Sequence, residues 1–500
     1  MLKSLYNHKA ILRITILHFN IKKIITLALS FTLMTSLSTF AIEEIKIEKD
    51  SSLSLNDCIK IALQNSPYVK KFKYNYGISK SNVGRAKSAY FPTIGVGTGY
   101  NFTDTHTNRY NTDSKLYSAE ASLNQLIWNF GKTNANIRMQ KFNLITALFN
   151  FDDNVLDTIY QVRTNYYGVL AARASVDINK AYVDINERNY QRTKAYFEEG
   201  IKSKIDLVNA EVNLSDSKVT LVNAQKTYKN AMVTLNNSMY IAHSPDYELQ
   251  PTETFRYKEN LYMVNLEELD KKSDLSILPE NIDDATLTAK AEKAEILTDY
   301  KFEAFPYTFE KSVELAYTNR PDIKAYDATL KAMEENLLYI KREYYPEISA
   351  RAGYGYRDLN ATNSFNVGIN VSSNVNILGK KHEIDAGKFQ VALAQNEINL
   401  LKQNVYFEVQ NAYINMIELE KQVPLLAVKV RQTLENFELA DGRYAVGLGD
   451  YIELQDAKVK YNNAQHTFVE AIYKYNVARA NLEKAIALPQ EITISIEDIN

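Results

Sequence analysis

The chain has 500 residues, a formal net charge of −2 and a hydrophobic fraction of 45%. This near-neutral charge gives no electrostatic footprint for nucleic acid, and we expect no nucleic-acid partner. Gly (16) and Pro (10) are scarce and no proline lies between Pro92 and Pro245, so the composition favours long uninterrupted helices.

The N-terminal segment predicts export from the cytoplasm. Residues 1–41 carry five basic side chains and no acidic one, and an apolar run from Ile24 to Leu37 follows two lysines. This pattern is typical of a secretory signal peptide, with cleavage expected after Ala41. The alternative is a membrane anchor, but the run is shorter than the ~20 residues that a transmembrane helix needs. Cys58 lies well past the predicted cleavage site, which argues against a lipid anchor there.

The first predicted helix begins at Ser54, with Asp57 at the matching capping-box position. It breaks and restarts at Asn65-Ser66-Pro67, then runs to Tyr90-Phe91-Pro92. The same features recur 254 residues later at Thr308, Asn319-Arg320-Pro321 and Tyr344-Tyr345-Pro346. The constant offset indicates an internal duplication.

After each of these prolines the apolar period changes to two, which predicts two strands of about ten residues in each repeat. The first repeat has a strand face from Ile94 to Phe102, a polar loop from Thr103 to about Lys115, and a second face ending at Leu123. The second repeat has faces at 348–356 and 365–377, the latter ending at Ile377. A soluble sheet with one buried face fits the alternation. Export, strand length and aromatic strand ends favour a membrane barrel.

Four strands cannot close a barrel, and an open edge in lipid leaves backbone groups unpaired. The pattern therefore predicts several chains that share one barrel. Two copies would give eight strands filled by side chains, whereas three would give twelve strands and a lumen. A conduit favours the trimer.

Beyond Gly131-Lys132 and Gly379-Lys380 the chain is predicted to be helical again. The residues from Gly131 to Gly200 would reach about 100 Å as one helix. In the second arm, Pro424 predicts a kink. Each arm ends in a glycine-bearing stretch that predicts a hairpin bend, because glycine adopts the left-handed conformation that ends a helix.

An apolar ladder with 3-4-3-4 spacing follows each bend. The first runs from Leu207 to Leu235, and the second runs from Leu454 to Leu482, 247 positions later. Large side chains alternate with alanine or serine, which is typical of a coiled-coil seam that lets two backbones approach closely. The chain is therefore predicted to consist of two long helical hairpins.

The predicted class is mainly α with a small β part: long antiparallel helical hairpins forming an α-barrel, plus four transmembrane strands per protomer that close as a 12-stranded barrel in a homotrimer. The predicted divisions are a signal peptide (1–41), a first repeat (42–242), an equatorial connector (243–307), a second repeat (308–488) and a C-terminal tail (489–500). The connector differs in composition, with four of the ten prolines and many acidic residues.

No residue pattern predicts catalysis. The six histidines are scattered and the single cysteine has no partner cysteine, so neither a metal site nor a nucleophile elbow is indicated. The glycines of Gly95-Val96-Gly97-Thr98-Gly99 alternate within a predicted strand, unlike a nucleotide-binding loop. We expect no enzymatic activity, no cofactor and no metal.

The stretches around the two bends resemble the TolC family of bacterial outer-membrane efflux and secretion channels, the outer membrane factors. The resemblance is carried by YFEEGIKSKIDLVNA at 196–210 and RYAVGLGDYIELQDA at 443–457. Asn319-Arg320-Pro321-Asp322 and the Tyr-Tyr-Pro before a strand add to it. It covers about residues 51–488.

The resemblance implies a homotrimer in the bacterial outer membrane, surrounded by lipid, with a long periplasmic extension belted by an equatorial domain. Such a protein is not an enzyme. It is the exit duct of a tripartite efflux pump or type I secretion system, docked by a periplasmic adaptor (membrane fusion) protein and an inner-membrane RND or ABC transporter. The alternative is a periplasmic adaptor or structural coiled-coil protein without a pore, which needs no strands of membrane length.

By position in the family motif, the resemblance implies a periplasmic gate at four residues. Asp206 and Tyr444 correspond to polar links that hold the closed end, and Glu453 and Asp456 correspond to an acidic ring. The last two are three residues apart on one helix face, so three chains would bring six carboxylates to one level. The alternative is that both are ordinary solvated charges.

The bends themselves, Gly200-Ile201 and Gly447-Leu448, are predicted adaptor contacts because exposed apolar tips favour partner packing. The alternative is that they only form turns.

Two positions differ from some family members. Gly449 stands where these carry arginine, and Ile205 stands where they carry threonine. Lys202, Lys204 or Arg443 are expected to replace the missing polar groups.

Overall fold

The structure is a computed structural model that describes residues 51–106, 111–242, 246–250, 305–358, 362–373, 377–489 and 496. The predicted signal peptide (1–41), most of the predicted connector (243–307) and nearly all of the predicted tail (489–500) lie outside the described residues.

The described elements follow one order twice: two helices, two strands, two helices. The first copy contains β1 (Ser52–Leu53), α1 (Leu55–Asn65), α2 (Pro67–Ser88), β2 (Thr93–His106), β3 (Asn111–Trp128), α3 (Lys132–Glu198), α4 (Lys204–Ser238) and β4 (Glu248–Leu249). The second contains α5 (Phe309–Asn319), α6 (Pro321–Arg342), β5 (Glu347–Arg357), β6 (Thr362–Ser372), α7 (Ile377–Ala445) and α8 (Tyr451–Ala485). Strands β1 and β4 form a short parallel pair that joins the two ends of the first copy.

The helix starts lie where the sequence predicts them. In α1 the Asp57 backbone N–H donates to Ser54 Oγ at 3.2 Å, and the Ser54 N–H donates to Asp57 Oδ2 at 3.1 Å. In α5 the Lys311 N–H donates to Thr308 Oγ1 at 3.3 Å. Pro67 and Pro321 begin α2 and α6, where the missing proline N–H has no intrahelical acceptor.

The four long strands form one antiparallel sheet in the order β2-β3-β5-β6, so the two copies meet at the central β3–β5 pair. The register aligns side chains of one kind across the sheet. One row is apolar: Ile94, Leu123, Ala352 and Val367. The neighbouring row, on the opposite face, is small or polar: Gly95, Ser122, Gly353 and Asn366. The predicted two-faced strands are confirmed.

The predicted loop from Thr103 to about Lys115 is wrong. Strand β2 has 14 residues and β3 has 18, and they stay paired until His106 lies opposite Asn111. The prediction relied on apolar alternation, but inter-strand hydrogen bonds join backbone groups and therefore continue where both faces are polar. The estimate of about ten residues was too short for both strands.

The assignment of Ile377 to a strand is also wrong. Strand β6 ends at Ser372, and Ile377 is the first residue of α7. A single apolar residue at a strand-to-helix junction fits either period, so the pattern could not place this boundary. Val375, assigned to the same strand face, lies outside the described residues.

The two predicted arms are single helices, α3 with 67 residues and α7 with 69 residues. At 1.5 Å per residue each is about 100 Å long. Helix α7 continues through Pro424, so this proline does not end the helix, and the kink stays a prediction. No helix among the described residues is long and apolar enough to span a lipid bilayer.

Near the bends the helices lie in the order α4-α3-α8-α7, because α3 packs against both α4 and α8 while α8 packs against α7. The predicted ladders line the seam within each hairpin. The buried positions on α4 are Ala210, Leu214, Ser217, Ala224 and Leu235. The buried ladder positions on α8 are Leu454, Ala457, Tyr461, Ala464, Phe468, Ala471, Tyr475 and Leu482.

Candidate functional site at the helix bends

Both hairpins turn through the same backbone conformation. Gly200 and Gly447 each have φ of 78°. The Ile201 N–H donates to the Tyr196 carbonyl at 2.8 Å, and the Leu448 N–H donates to the Arg443 carbonyl at 2.9 Å. This closing pattern uses a left-handed glycine after the last helical residue. The predicted bends are confirmed.

Asp206 caps its own helix. The Ser203 N–H and Ser203 Oγ both donate to Asp206 Oδ2, at 3.2 Å and 2.8 Å, and the Asp206 N–H donates to Ser203 Oγ at 3.3 Å. These bonds fix the start of α4 directly after the bend. The sequence signal is the spacing of Ser203 and Asp206, which matches that of Ser54 and Asp57.

Tyr444 joins the end of α7 to α3. Its side chain is fully buried, its hydroxyl lies 3.1 Å from Thr193 Oγ1, and Lys202 Nζ lies 4.7 Å from its ring centroid. Burial raises the pKa of Tyr444; the hydrogen bond to Thr193 acts in the opposite direction, and the Asp206 carboxylate raises the pKa further. Tyr444 is therefore a neutral link. Asp206 acts on it through its charge, while the hydrogen bonds of Asp206 go to Ser203.

Further polar contacts connect the two hairpins near the bends. The Tyr196 hydroxyl donates to the Ala445 carbonyl at 2.8 Å, and Asn213 Nδ2 donates to the Tyr451 hydroxyl at 2.7 Å. Arg192 and Asp441 form an ion pair at 3.1 Å. Together with Tyr444 these contacts hold α3 and α4 against α7 and α8.

Glu453 and Asp456 lie on the exposed side of α8, each beside a cation. Arg443 Nη2 lies 3.7 Å from Glu453 Oε2, and Lys460 Nζ lies 2.6 Å from Asp456 Oδ2. All four side chains are about half exposed or more. Within the described part of the chain, neither carboxylate bonds to Asp206 or Tyr444, so the four predicted gate residues form two separate groups.

Gly449 lies close against the backbone of the preceding helix end. A Cβ at this position would lie 2.8 Å from the Tyr444 backbone nitrogen, so this bend has no room for a side chain there. Of the cations expected to compensate, Lys202 contacts the Tyr444 ring and Arg443 contacts Glu453. Ile205 is exposed.

The outer surfaces of both bends are apolar. Ile201 is 60% exposed and Leu448 is 76% exposed, and Ile205 and Ile452 extend these surfaces along α4 and α8. Large apolar side chains this exposed are available for packing against a partner.

One buried residue of the seam between the two hairpins was not predicted from the sequence. Lys458 on α8 is 1% exposed, and its Nζ donates to Asn186 Oδ1 on α3 at 2.6 Å. Burial lowers the pKa of Lys458 to about 8, although Asp441 acts in the opposite direction. The available signal was a heptad spacing of polar residues at Asn179, Asn186 and Thr193, matched by a seven-residue step from Tyr451 to Lys458.

Among the described residues, no group of three His, Cys, Asp or Glu side chains is arranged to hold a metal ion.

The family model described as outer membrane efflux protein matches residues 58–239 and 313–488. The chain is 22% identical over 160 residues to the probable outer membrane lipoprotein SilC of Salmonella typhimurium, which is 31% of this chain and 34% of that protein. It is 24% identical over 156 residues to the alkaline protease secretion protein AprF of Pseudomonas aeruginosa, which is 30% of this chain and 32% of that protein. The matched segments thus span about a third of the length of these relatives.

Solved structures extend the likeness to most of the fold. The Campylobacter jejuni CmeC outer membrane channel aligns with a TM-score of 0.67 at 16% identity, covering 89% of this chain and 90% of that chain. At this identity the likeness shows a shared fold.

Proposed function

Since this chain belongs to the outer membrane efflux protein family, we propose that it forms the outer-membrane exit channel of a tripartite efflux pump or type I secretion system. The observation that carries the proposal is a four-stranded sheet of membrane length, apolar on one face and polar on the other, connected to helices about 100 Å long.

The two edges of the sheet support a homotrimer with a 12-stranded barrel. Within the described residues, β2 pairs only with β3 and β6 pairs only with β5. Both edges would leave backbone groups unpaired in lipid, at several kcal/mol each. Pairing β2 of one protomer with β6 of the next removes both edges, and three copies provide twelve strands.

The outermost helices of the wall support the same assembly. Helix α7 exposes apolar side chains at a seven-residue interval: Leu393, Leu400, Phe407 and Ile414. Helix α4 does the same at Ile205, Val212 and Val219. Such heptad stripes are typical of coiled-coil surfaces. In the proposed trimer, α7 of one protomer packs against α2 and α4 of the next and completes an α-barrel.

The sheet faces support a water-filled passage. Glycines at positions 95, 97, 353 and 355 lie opposite serine, glutamate or asparagine on the neighbouring strands, so this face is flat and polar. The other face presents Val96, Phe365 and Val367, all more than two-thirds exposed, which suits contact with lipid. Trp128 and Tyr345 are exposed near strand ends, where a membrane interface favours aromatic side chains.

The helix bends form the proposed periplasmic gate. Tyr444 contributes the link to Thr193, and Asp206 fixes the start of α4 beside it. Threefold symmetry places Glu453 and Asp456 in a ring of six carboxylates, which attracts cations. Arg443 and Lys460 lie beside these carboxylates and reduce their field.

The partners follow from the proposed duct. The apolar tips at Gly200-Ile201 and Gly447-Leu448 are the proposed contacts for a periplasmic adaptor protein. An inner-membrane RND or ABC transporter supplies the cargo, small molecules or proteins, and determines its identity. The duct itself carries out no chemical reaction.

A second candidate is a periplasmic adaptor or structural coiled-coil protein without a pore. The long hairpins fit this class as well. Four strands with an exposed apolar face favour the channel, because an adaptor in the periplasm would expose that face to water.

Single-channel recording tests the proposal. The full chain, extracted from outer membranes with detergent and added to a planar lipid bilayer, is expected to give discrete conductance steps. A chain that fractionates with soluble periplasmic proteins and never conducts would support the second candidate.

A further inference from the structure

The seam between the two hairpins changes character along its length. Ala174 and Ile178 on α3 form a small apolar cluster with Val469 on α8. Closer to the bends, the same two helices bury polar side chains instead, among them Asn186, Asn189, Thr193 and Lys458. The seams within each hairpin are lined by the apolar ladders, whereas the α3–α8 seam near the bends buries these polar side chains.

Lys458 is the charged group in this polar part. Its hydrogen bond to Asn186 is made to a neutral acceptor, and no described carboxylate lies within ion-pair distance of its ammonium. The charged groups that act on it are Asp441 on α7 and Arg192 on α3, which form an ion pair with each other. A buried charge without an opposite charge loses hydration that one hydrogen bond only partly replaces.

We propose that Lys458 is a gating residue whose buried ammonium favours separation of α3 from α8 near the bends. Separation lets water reach the ammonium and restores its hydration. Water also reaches two buried amide oxygens on the same helices, Asn189 Oδ1 and Asn462 Oδ1. Neither oxygen has a hydrogen-bond partner among the described residues. This inference rests on the proposed function, since it requires that the bends open and close a channel.

The first test replaces the polar contact by an apolar one of similar size. Lys458→Met combined with Asn186→Leu removes the ammonium without leaving an unpaired acceptor. In single-channel recordings of the full-length protein, the open conductance is expected to stay the same while the open probability falls at least severalfold. Lys474→Met is the matched control, because Lys474 lies on the same helix at an exposed site, and its open probability is expected to match that of the unmodified protein.

The second test measures the open probability at different pH values. A purely structural role of Lys458 would leave the open probability independent of pH. Burial lowers the pKa of Lys458 to about 8 from the ordinary 10.5. The closed seam therefore loses its proton as pH rises through 8, while a hydrated Lys458 keeps its proton. Loss of the proton removes the free-energy cost of the buried charge, so the closed state becomes more stable relative to the open state. The ratio of closed to open states should rise about tenfold per chain between pH 7 and pH 9.

Burial raises the pKa of Tyr182, which therefore stays neutral over this range. The pH step is therefore expected to be absent in the Lys458→Met/Asn186→Leu variant. The Lys458→Arg variant, whose side chain stays protonated, is expected to lack the pH step as well. This variant replaces the double variant if the double variant fails to assemble.

The outcomes separate this inference from the proposed function. An unmodified protein that never conducts contradicts the channel. A conducting double variant with unchanged open probability, or with the same pH step as the unmodified protein, overturns the role of Lys458 and leaves the channel intact.

Discussion

Among single residues, Tyr444 contributes a buried hydrogen bond between the two hairpins at the bends. Its hydroxyl and Thr193 Oγ1 are both buried and 3.1 Å apart. Removing a buried hydrogen bond costs about 1 kcal/mol. Tyr444→Phe is therefore expected to raise the ratio of open to closed channels about fivefold per link, measured as open probability in a planar bilayer.

Thr193→Val provides the matched partner in a double-mutant cycle. If the two side chains act as one link, the double variant behaves like either single variant. Additive effects would show that the two hydroxyls act independently and that their contact does not hold the gate.

Asp206 is expected to act on the gate by fixing the start of α4. Loss of a capping residue costs about 1 kcal/mol. Ser203→Ala and Asp206→Ala should therefore raise the open probability equally, because each breaks the same capping box. Ser54→Ala is the control: it breaks the equivalent box on α1 and should lower thermal stability without changing the open probability. An effect of Asp206→Ala alone would instead indicate a direct link to Tyr444.

The acidic ring gives a prediction about ion selectivity. Replacing Glu453 and Asp456 by Ala is expected to reduce cation selectivity and block by cations. Arg443→Ala should strengthen both, because the half-exposed Arg443 partly screens Glu453. Reversal potentials in a salt gradient measure the selectivity, with Glu470→Ala as an exposed control on the same helix. Unchanged reversal potentials in both variants would mean that the carboxylates do not line the pore.

The sequence could predict the residues at the bends better than their contacts. The glycines and the ladder spacing are local patterns, and both are confirmed. The partner of Tyr444 lies 251 positions earlier in the chain, and the partner of Lys458 lies 272 positions earlier. Spacing along one helix shows which face a side chain occupies and leaves open which residue of another helix it meets. For this reason the Lys458–Asn186 contact needed the structure.

Among the elements, the second bend offers a sharp test of backbone conformation. A side chain at Gly447 would meet no atom within 4 Å, so its φ of 78° alone sets the cost of Gly447→Ala. We expect a loss of about 1 kcal/mol in stability. Gly442 lies five residues earlier within α7, also in open space. There alanine should gain roughly 0.5–1 kcal/mol.

Melting temperatures of the detergent-solubilised protein at one scan rate measure both changes. The prediction is a change of opposite sign for the two glycine variants. A stabilising Gly447→Ala would show that the left-handed conformation is not needed at the bend.

The helices could be predicted more closely than the strands. Long heptad patterns without proline identified α3 and α4 over many turns, so single ambiguous residues had little influence. The end of β6 depended on one or two residues. The ends of β2 and β3 at His106 and Asn111 depend on backbone pairing, which produces no recognisable pattern of side chains in the sequence. The sequence therefore predicted the order of elements and misplaced several strand boundaries.

For the whole molecule, we propose that three chains share one tube. Within the described part of one chain, the outer edges of β2 and β6 have no partner strand, and the apolar stripes on α4 and α7 are exposed. In the proposed trimer one cyclic arrangement covers both sets of surfaces and closes the sheet and the helical wall together.

Native mass spectrometry of the detergent-extracted protein tests the trimer. We expect a dominant species with the mass of three chains that persists on dilution, because separation would expose both sheet edges. A dominant species of one or two chains would contradict the shared barrel and the channel that depends on it.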